Sequence, residues 1–268
     1  MLDCLLTLEE RTSYLMSAPD TTPQWLERPD GNRVAYHRRS GKGPGVVFLG
    51  GYASDMTGTK AMYLDSWCKE AGRAYLRLDY LGHGQSTGAF EDGTLGRWAD
   101  DALAAIDALT EGPQILVGSS MGGWIMLLLA LARPERIAGL VGIAAAPDFS
   151  QDIWWGMSPE QQDAMVAEGK AMLDEGHGAF PVTHAFIEDG RRHLVMRAPI
   201  AIDVPVRLLQ GMRDTAVPWP TAQAIADRLK SEDVVVTLIK DGDHRLSRDQ
   251  DLARLGATLE ELLAAVEG

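Results

Sequence analysis

The chain has 268 residues, 46% of them hydrophobic, and a formal net charge of −13 at pH 7. That is enough apolar material for one large α/β core, while the acidity repels phosphate backbones and anionic lipid and excludes nucleic acid as an expected partner. Its two cysteines, Cys4 and Cys68, rule out a disulfide framework and have no metal or redox spacing, which fits a reducing compartment.

Taken in chain order, residues 1–16 place Asp3, Glu9 and Glu10 near leucines, whereas secretory and mitochondrial presequences avoid acids. No apolar stretch is long enough to cross a bilayer, so stable membrane insertion is not expected. The expected location is cytoplasmic, with the mitochondrial matrix as the alternative if a presequence is missing from this chain. Residues 17–23, with Pro19 and Pro23, read as a joint ending an N-terminal segment over 1–23. Residues 24–28 and 34–38 flank Pro29-Asp30-Gly31-Asn32 and predict a β-hairpin.

After Gly41-Lys42-Gly43-Pro44 the texture changes. Apolar runs without alternation recur at 46–49, 75–78, 115–117, 140–144, 206–209 and 234–239. Such runs suit parallel strands covered on both faces. Helical patterns over 59–70, 95–109, 123–132, 221–229 and 251–266 lie between or after them. A hairpin followed by repeated β-α units predicts the α/β class, with a mainly parallel, doubly wound sheet. Between Pro147 and Pro199 the alternation breaks. There Ile153-Trp154-Trp155, a helix over 158–173 opened by Ser158-Pro159, and residues 183–189 predict a small, mostly helical cap at the sheet's carboxyl edge. The core is expected in two parts, 24–146 and 200–268, around a cap at 147–199.

The pentapeptide Gly118-Ser119-Ser120-Met121-Gly122 sits between the run 115–117 and the run opened by Trp124. A G-x-S-x-G between a buried strand and a helix reads as a sharp turn that exposes a nucleophilic serine, here Ser120. Its hydroxyl would stand at a helix N-terminus, where the dipole favours developing negative charge. A serine hydroxyl also needs a base to take its proton and a carboxylate to orient that base. Asp214 follows the run 206–210 through Gly211-Met212-Arg213, and His244 follows the run 234–239 through Lys240-Asp241-Gly242-Asp243. Both therefore lie beyond strand ends, on the edge expected for Ser120. His37 falls in the hairpin, His83 in a glycine-rich turn that precedes Ser120, and His177, His184 and His193 in the cap at spacings that suit no metal. Asp241 and Asp243 read as a solvated turn. For the oxyanion, the backbone N–H groups of Met121 and Tyr52 are the expected donors, the latter because Gly50-Gly51 lets the chain bend close to the substrate.

The order serine, acid, histidine resembles that of the α/β-hydrolase superfamily from about residue 24 to the end. More narrowly, the chain resembles the mitochondrial abhydrolase domain-containing protein 10 group. The resemblance rests on Gly51-Tyr52-Ala53-Ser54-Asp55-Met56-Thr57-Gly58-Thr59-Lys60-Ala61, Thr94-Leu95-Gly96-Arg97-Trp98, residues 112–124, Asp214-Thr215-Ala216-Val217-Pro218-Trp219 and Asp243-His244-Arg245. It implies a serine thioesterase that removes palmitoyl groups from cysteine and also hydrolyses acyl glucuronides. Nucleophile, acid and base would be Ser120, Asp214 and His244.

The reading is thus a hydrolase that needs neither metal nor cofactor, acting on a small molecule or an S-acylated protein. Trp154, Trp155, Met157 and Phe180, with Ile153, Met165 and Met172, are candidate walls of an acyl slot, or the side chains that hold the cap down. Arg191, Arg192 and His193 read as a solvated basic turn or as a contact for a substrate carboxylate. Carboxylesterases, carbon–carbon bond hydrolases and enol-lactonases share such a triad and stay open as alternatives. More remote is a non-catalytic ligand receptor on the same scaffold.

Overall fold

The computed structural model describes residues 22–174 and 179–268, so nearly all of the N-terminal segment, and His177, lie outside the described residues. The first half runs β1 (Gln24–Glu27), β2 (Arg33–Arg39), β3 (Lys42–Leu49), α1 (Thr59–Glu70), β4 (Arg73–Leu78), α2 (Leu95–Leu109), β5 (Gln114–Ser119), α3 (Met121–Ala132) and β6 (Ile137–Ile143). Next come α4 (Phe149–Gly156), α5 (Pro159–Glu168), β7 (Lys170–Asp174), β8 (Ala179–Thr183) and α6 (His184–Gly190). The chain then returns to the sheet with β9 (Val206–Gly211), α7 (Pro220–Arg228), β10 (Val234–Ile239) and α8 (Asp249–Glu267).

Eight strands form one sheet in the order β1-β2-β4-β3-β5-β6-β9-β10. The predicted hairpin is present, with Gln24 opposite Tyr36 and Gly31 at φ +83° in its turn. From β4 to β10 every neighbouring pair is parallel. The absence of alternation in these strands has a direct cause. Val47, Leu49, Leu116, Leu140 and Leu208 pack on one face with Trp98 of α2, Trp124 of α3 and Ile225 of α7. Their neighbours Val46, Phe48, Ile115, Val117, Val141 and Leu209 pack on the other with Leu64 of α1 and Leu255 and Leu259 of α8. In the central strands β3, β5 and β6 both faces are dry, so both parities are apolar.

The insertion between β6 and β9 is less helical than its sequence suggests. The pattern over 158–173 stops at Gly169, whose φ of +79° and N–H bond to the Met165 carbonyl end α5. Lys170 then opens a strand that pairs antiparallel with β8, Lys170 opposite Thr183. Ala171 and Leu173 pack toward the core and Met172 points out, an alternation too brief to outweigh the helical pattern before it. Among the contacts that fix the insertion, one closes it on itself and another joins it to the loop after β3. The Asp148 carboxylate accepts from the N–H groups of Val195 and Met196, tying the start of the insertion to its return. The Tyr52 hydroxyl donates to the Pro181 carbonyl at 2.7 Å, while its ring meets Phe90, Phe149 and Phe180 edge-on.

Candidate active site

The turn from β5 into α3 is built by exclusion of side chains. Ser120 has φ 54° and ψ −119°, a conformation that non-glycine residues rarely adopt. A Cβ on Gly118 would run into the carbonyl of Gly122, and one on Gly122 into the carbonyl oxygen of Leu49. The backbone of Ser120 is pinned on both sides. Its N–H donates to the Ile143 carbonyl, and its own carbonyl accepts from Gly123 and Ala146 N–H. Gly122→Ala is therefore expected to lower stability by about 1–3 kcal/mol, the usual cost of overpacking. Urea unfolding would read this as a reduced midpoint, and an unchanged midpoint would contradict the close approach.

Asp214 and His244 reach the same edge through a second glycine pair. Gly211 at the end of β9 lies against Gly242, where a Cβ on Gly211 would overlap the carbonyls of Gly242 and Asp243. Arg213 N–H bonds the Gly242 carbonyl across this contact. The loops after β9 and β10 are thereby joined backbone to backbone.

The three side chains form a continuous row. His244 Nδ1 lies 2.8 Å from Asp214 Oδ2, and His244 Nε2 lies 3.2 Å from Ser120 Oγ. A carboxylate only accepts, so Nδ1 carries a proton, and in the neutral imidazole the lone pair of Nε2 then faces the serine. Asp214 has more partners than the histidine. Gln210 Nε2 donates to Oδ2, and the N–H groups of Ala216 and Val217 donate to Oδ1. Burial raises the carboxyl pKa, but the bonds from His244, Val217 and Ala216 outweigh it and hold the group below the usual carboxylate range. Gln210 is a residue of the candidate site that the sequence reading did not single out. Its only signal was a polar side chain closing an apolar strand.

Ser120 and His244 line a cleft of about 800 Å³, with the buried Asp214 behind them. Phe149, Ile153 and Phe180 line one part of it, and Val217 and Pro218 from the acid loop also contribute. Of the expected slot residues, Phe180 and Ile153 are in the wall. Trp154, Trp155 and Met157 are not. The period of α4 explains this, because Phe149, Asp152 and Ile153 share the face turned to the cleft and the two tryptophans point elsewhere. Trp155 is 73% exposed, Trp154 stacks with the Arg191 guanidinium, and Met157 is buried in the core. Met165 is likewise buried and Met172 exposed. Arg191 pairs with Glu188, and Arg192 and His193 lie near Asp189, so this turn is engaged within the insertion.

Among the described residues, His244 is the histidine that lines the cleft. His83 is buried against Tyr80, Phe90 and Trp98, and burial pushes its imidazole down to about 4, so it stays neutral. Asp243 is exposed and accepts from Leu246 N–H, and Asp241 pairs with Arg248, as a solvated turn requires. The two expected oxyanion donors flank the serine. Met121 opens α3, and Tyr52 follows Gly51, whose added Cβ would lie 3.4 Å from Ser120 Cβ. Among the described residues there is no cluster of side chains suited to a metal ion, and no helix is long and apolar enough to cross a membrane.

Comparison with known proteins agrees with this architecture. The family model of the alpha/beta hydrolase fold matches residues 44–224. The human palmitoyl-protein thioesterase ABHD10, mitochondrial, is 41% identical over 246 residues, covering 91% of this chain and 80% of the human protein. The structure of the alpha/beta hydrolase domain-containing protein 10 from mouse superposes with a TM-score of 0.87 at 40% identity, covering 92% of this chain and all of that one. A putative hydrolase from Agrobacterium vitis S4 gives a TM-score of 0.84 at 40% identity, covering 90% of this chain and 98% of its own. With this fold and this likeness along nearly its whole described length, the chain belongs to the alpha/beta hydrolase family and, within it, to the group of ABHD10.

Proposed function

We propose that the protein is a serine thioesterase that hydrolyses long-chain acyl thioesters of the palmitoyl-cysteine type, with activated oxygen esters such as acyl glucuronides as a second substrate class. The observation that carries this reading is the hydrogen-bonded row Ser120–His244–Asp214 opening onto a cleft with an apolar wall. The names of the mammalian relatives support the thioester over other leaving groups, and they favour a mitochondrial over a cytoplasmic location.

The mechanism follows from the donors and acceptors present. Ser120 Oγ attacks the thioester carbonyl carbon as its proton passes to His244 Nε2. Asp214 holds the imidazole in the required tautomer and stabilises the imidazolium. The oxygen of the tetrahedral intermediate is met by the N–H groups of Met121 and Tyr52. Collapse breaks the carbon–sulfur bond, and the departing thiolate takes the proton from Nε2. Water then gives a proton to the imidazole and attacks the acyl-enzyme carbonyl; as the acyl–Oγ bond breaks, the imidazolium returns that proton to Oγ, which releases the fatty acid and restores the serine. Residues 147–199 act as the cap, with Phe149, Ile153 and Phe180 against the acyl chain.

A panel of palmitoyl and short-chain acyl thioesters, nitrophenyl acetate, acyl glucuronides and a ring-cleavage diketone tests the assignment. The expected result is the highest kcat/KM on the long-chain thioester, with Phe180→Ala reducing that preference for chain length by roughly tenfold, the contribution of one or two buried methylenes. A profile led by acetate esters would instead indicate a carboxylesterase, and one led by the diketone a carbon–carbon bond hydrolase.

A further inference from the structure

The sequence reading gave Lys60 no role of its own, and the mechanism above does not use it. It is the second residue of α1, and its side chain lines the same cleft as Ser120 and His244. Its Nζ donates to the main-chain carbonyl of Arg245, the residue after the base, and lies 3.4 Å from Ser247 Oγ. These partners are a carbonyl and a hydroxyl, not a carboxylate. We propose that Lys60 is a positioning residue for the base, fixing the main chain at Arg245 and through it the imidazole of His244. The inference rests on the reading of Ser120, His244 and Asp214 as the catalytic row.

The loop that carries His244 needs such a tie. Leu246, two residues on, has a φ of +44°, a left-handed conformation that leucine adopts only when its surroundings impose it. Within the loop the bonds are local, Leu246 N–H to Asp243 and Ser247 Oγ to the Arg245 carbonyl. The Leu246 side chain is buried in the core. Apart from the row itself, the loop's other long-range backbone contact is on the acid's side, through Gly211, Gly242 and Arg213. That contact fixes the distance from base to acid and does nothing for the distance from base to nucleophile. Among the described residues, the hydrogen bonds that reach residues 243–247 from the half of the chain before residue 147 come from Ser120 and Lys60. Lys60 thus tethers the base loop to the half of the molecule that holds the serine.

The choice of lysine is costly, which argues that the ammonium is used. Burial pushes it down to about 8, while Asp243 and Asp251 pull it up and Arg245 pushes it down further. A methionine would fill the same space without desolvating a charge. What it would lose is a charge-assisted bond to the carbonyl beside the base, and such bonds are among the stronger ones.

The experiment compares Lys60→Met, Lys60→Arg and wild type on three readouts. These are kcat and KM for a short, uncharged acyl thioester, the rate of labelling by a small fluorophosphonate, and the low-field proton resonance of His244 Nδ1–H. Lys60→Met is expected to lower kcat and the labelling rate about ten- to hundredfold, the effect of misplacing a catalytic group by less than about 1 Å. KM should stay unchanged, the resonance should broaden or move, and Lys60→Arg should recover most of the rate. An unaltered kcat and resonance would overturn the proposal. So would a loss confined to KM, which would make Lys60 a substrate contact. Should Lys60→Met fail to fold, Lys60→Gln carries the same comparison. Labelling needs no thioester, so weak thioester turnover by a readily labelled wild type would count against the proposed substrate and leave the test of Lys60 intact.

Discussion

Ser120→Ala is expected to lower kcat for an acyl thioester on the order of 10⁶-fold, the loss that follows when the nucleophile of such a row is removed. Labelling by a fluorophosphonate should disappear with it, because that reagent bonds to the same oxygen. The protein should nevertheless fold. The unusual backbone at residue 120 is held by main-chain bonds to Ile143, Gly123 and Ala146, none of which involves the hydroxyl. Alanine carries the same Cβ as serine, so the strain at φ 54° is already present in the native chain. Thermal unfolding should therefore shift by no more than the equivalent of about 0.5–1 kcal/mol. Full turnover in a folded Ser120→Ala protein would remove this residue as the nucleophile.

Asp214→Asn is the second large effect, with kcat expected to fall about 10⁴-fold at an almost unchanged structure. The native carboxylate receives four donors, two on each oxygen: His244 Nδ1–H and Gln210 Nε2–H on Oδ2, and Ala216 and Val217 N–H on Oδ1. An amide has one oxygen and one NH₂ and cannot accept on both edges. With its oxygen kept on the two backbone N–H groups, its NH₂ faces His244 Nδ1. The imidazole must then accept there, and its Nε2 carries a proton toward Ser120 and cannot take another. Steady-state kinetics check this, and a loss of less than tenfold would show that another group orients the imidazole. The pH dependence has a definite sign. Because the native carboxyl is held below its ordinary range, its contribution to stability is present above that range and lost as pH falls through the native value.

How much of this was legible beforehand depended on whether the cause was local. The sheet could be read because dry faces on both sides leave a mark in its central strands, as Val46-Val47-Phe48-Leu49 shows. The turn at Ser120 could be read because its glycines answer a steric demand within five residues. Asp214 and His244 followed from their places past strand ends. Legibility ended where the cause lay far off in the chain. The strand β7 exists because β8 stands opposite it, and nothing in Lys170-Ala171-Met172-Leu173 names that partner. Trp154 and Trp155 looked like pocket walls by type, but which face of a short helix turns inward is set by what it packs on. Gln210 and Lys60 gained their partners through loops brought together only in the folded chain.

The glycine contact between residues 211 and 242 has a consequence for how this enzyme can diverge. The spacing of Asp214 and His244 is an attribute of main chain lying on main chain, where any larger side chain would wedge the two loops apart. The surfaces that would meet an acyl tail, by contrast, come largely from Phe149, Ile153 and Phe180 in a detachable-looking excursion from the sheet. Selectivity can therefore drift, or be redesigned by grafting another excursion, without retuning the chemistry beneath it.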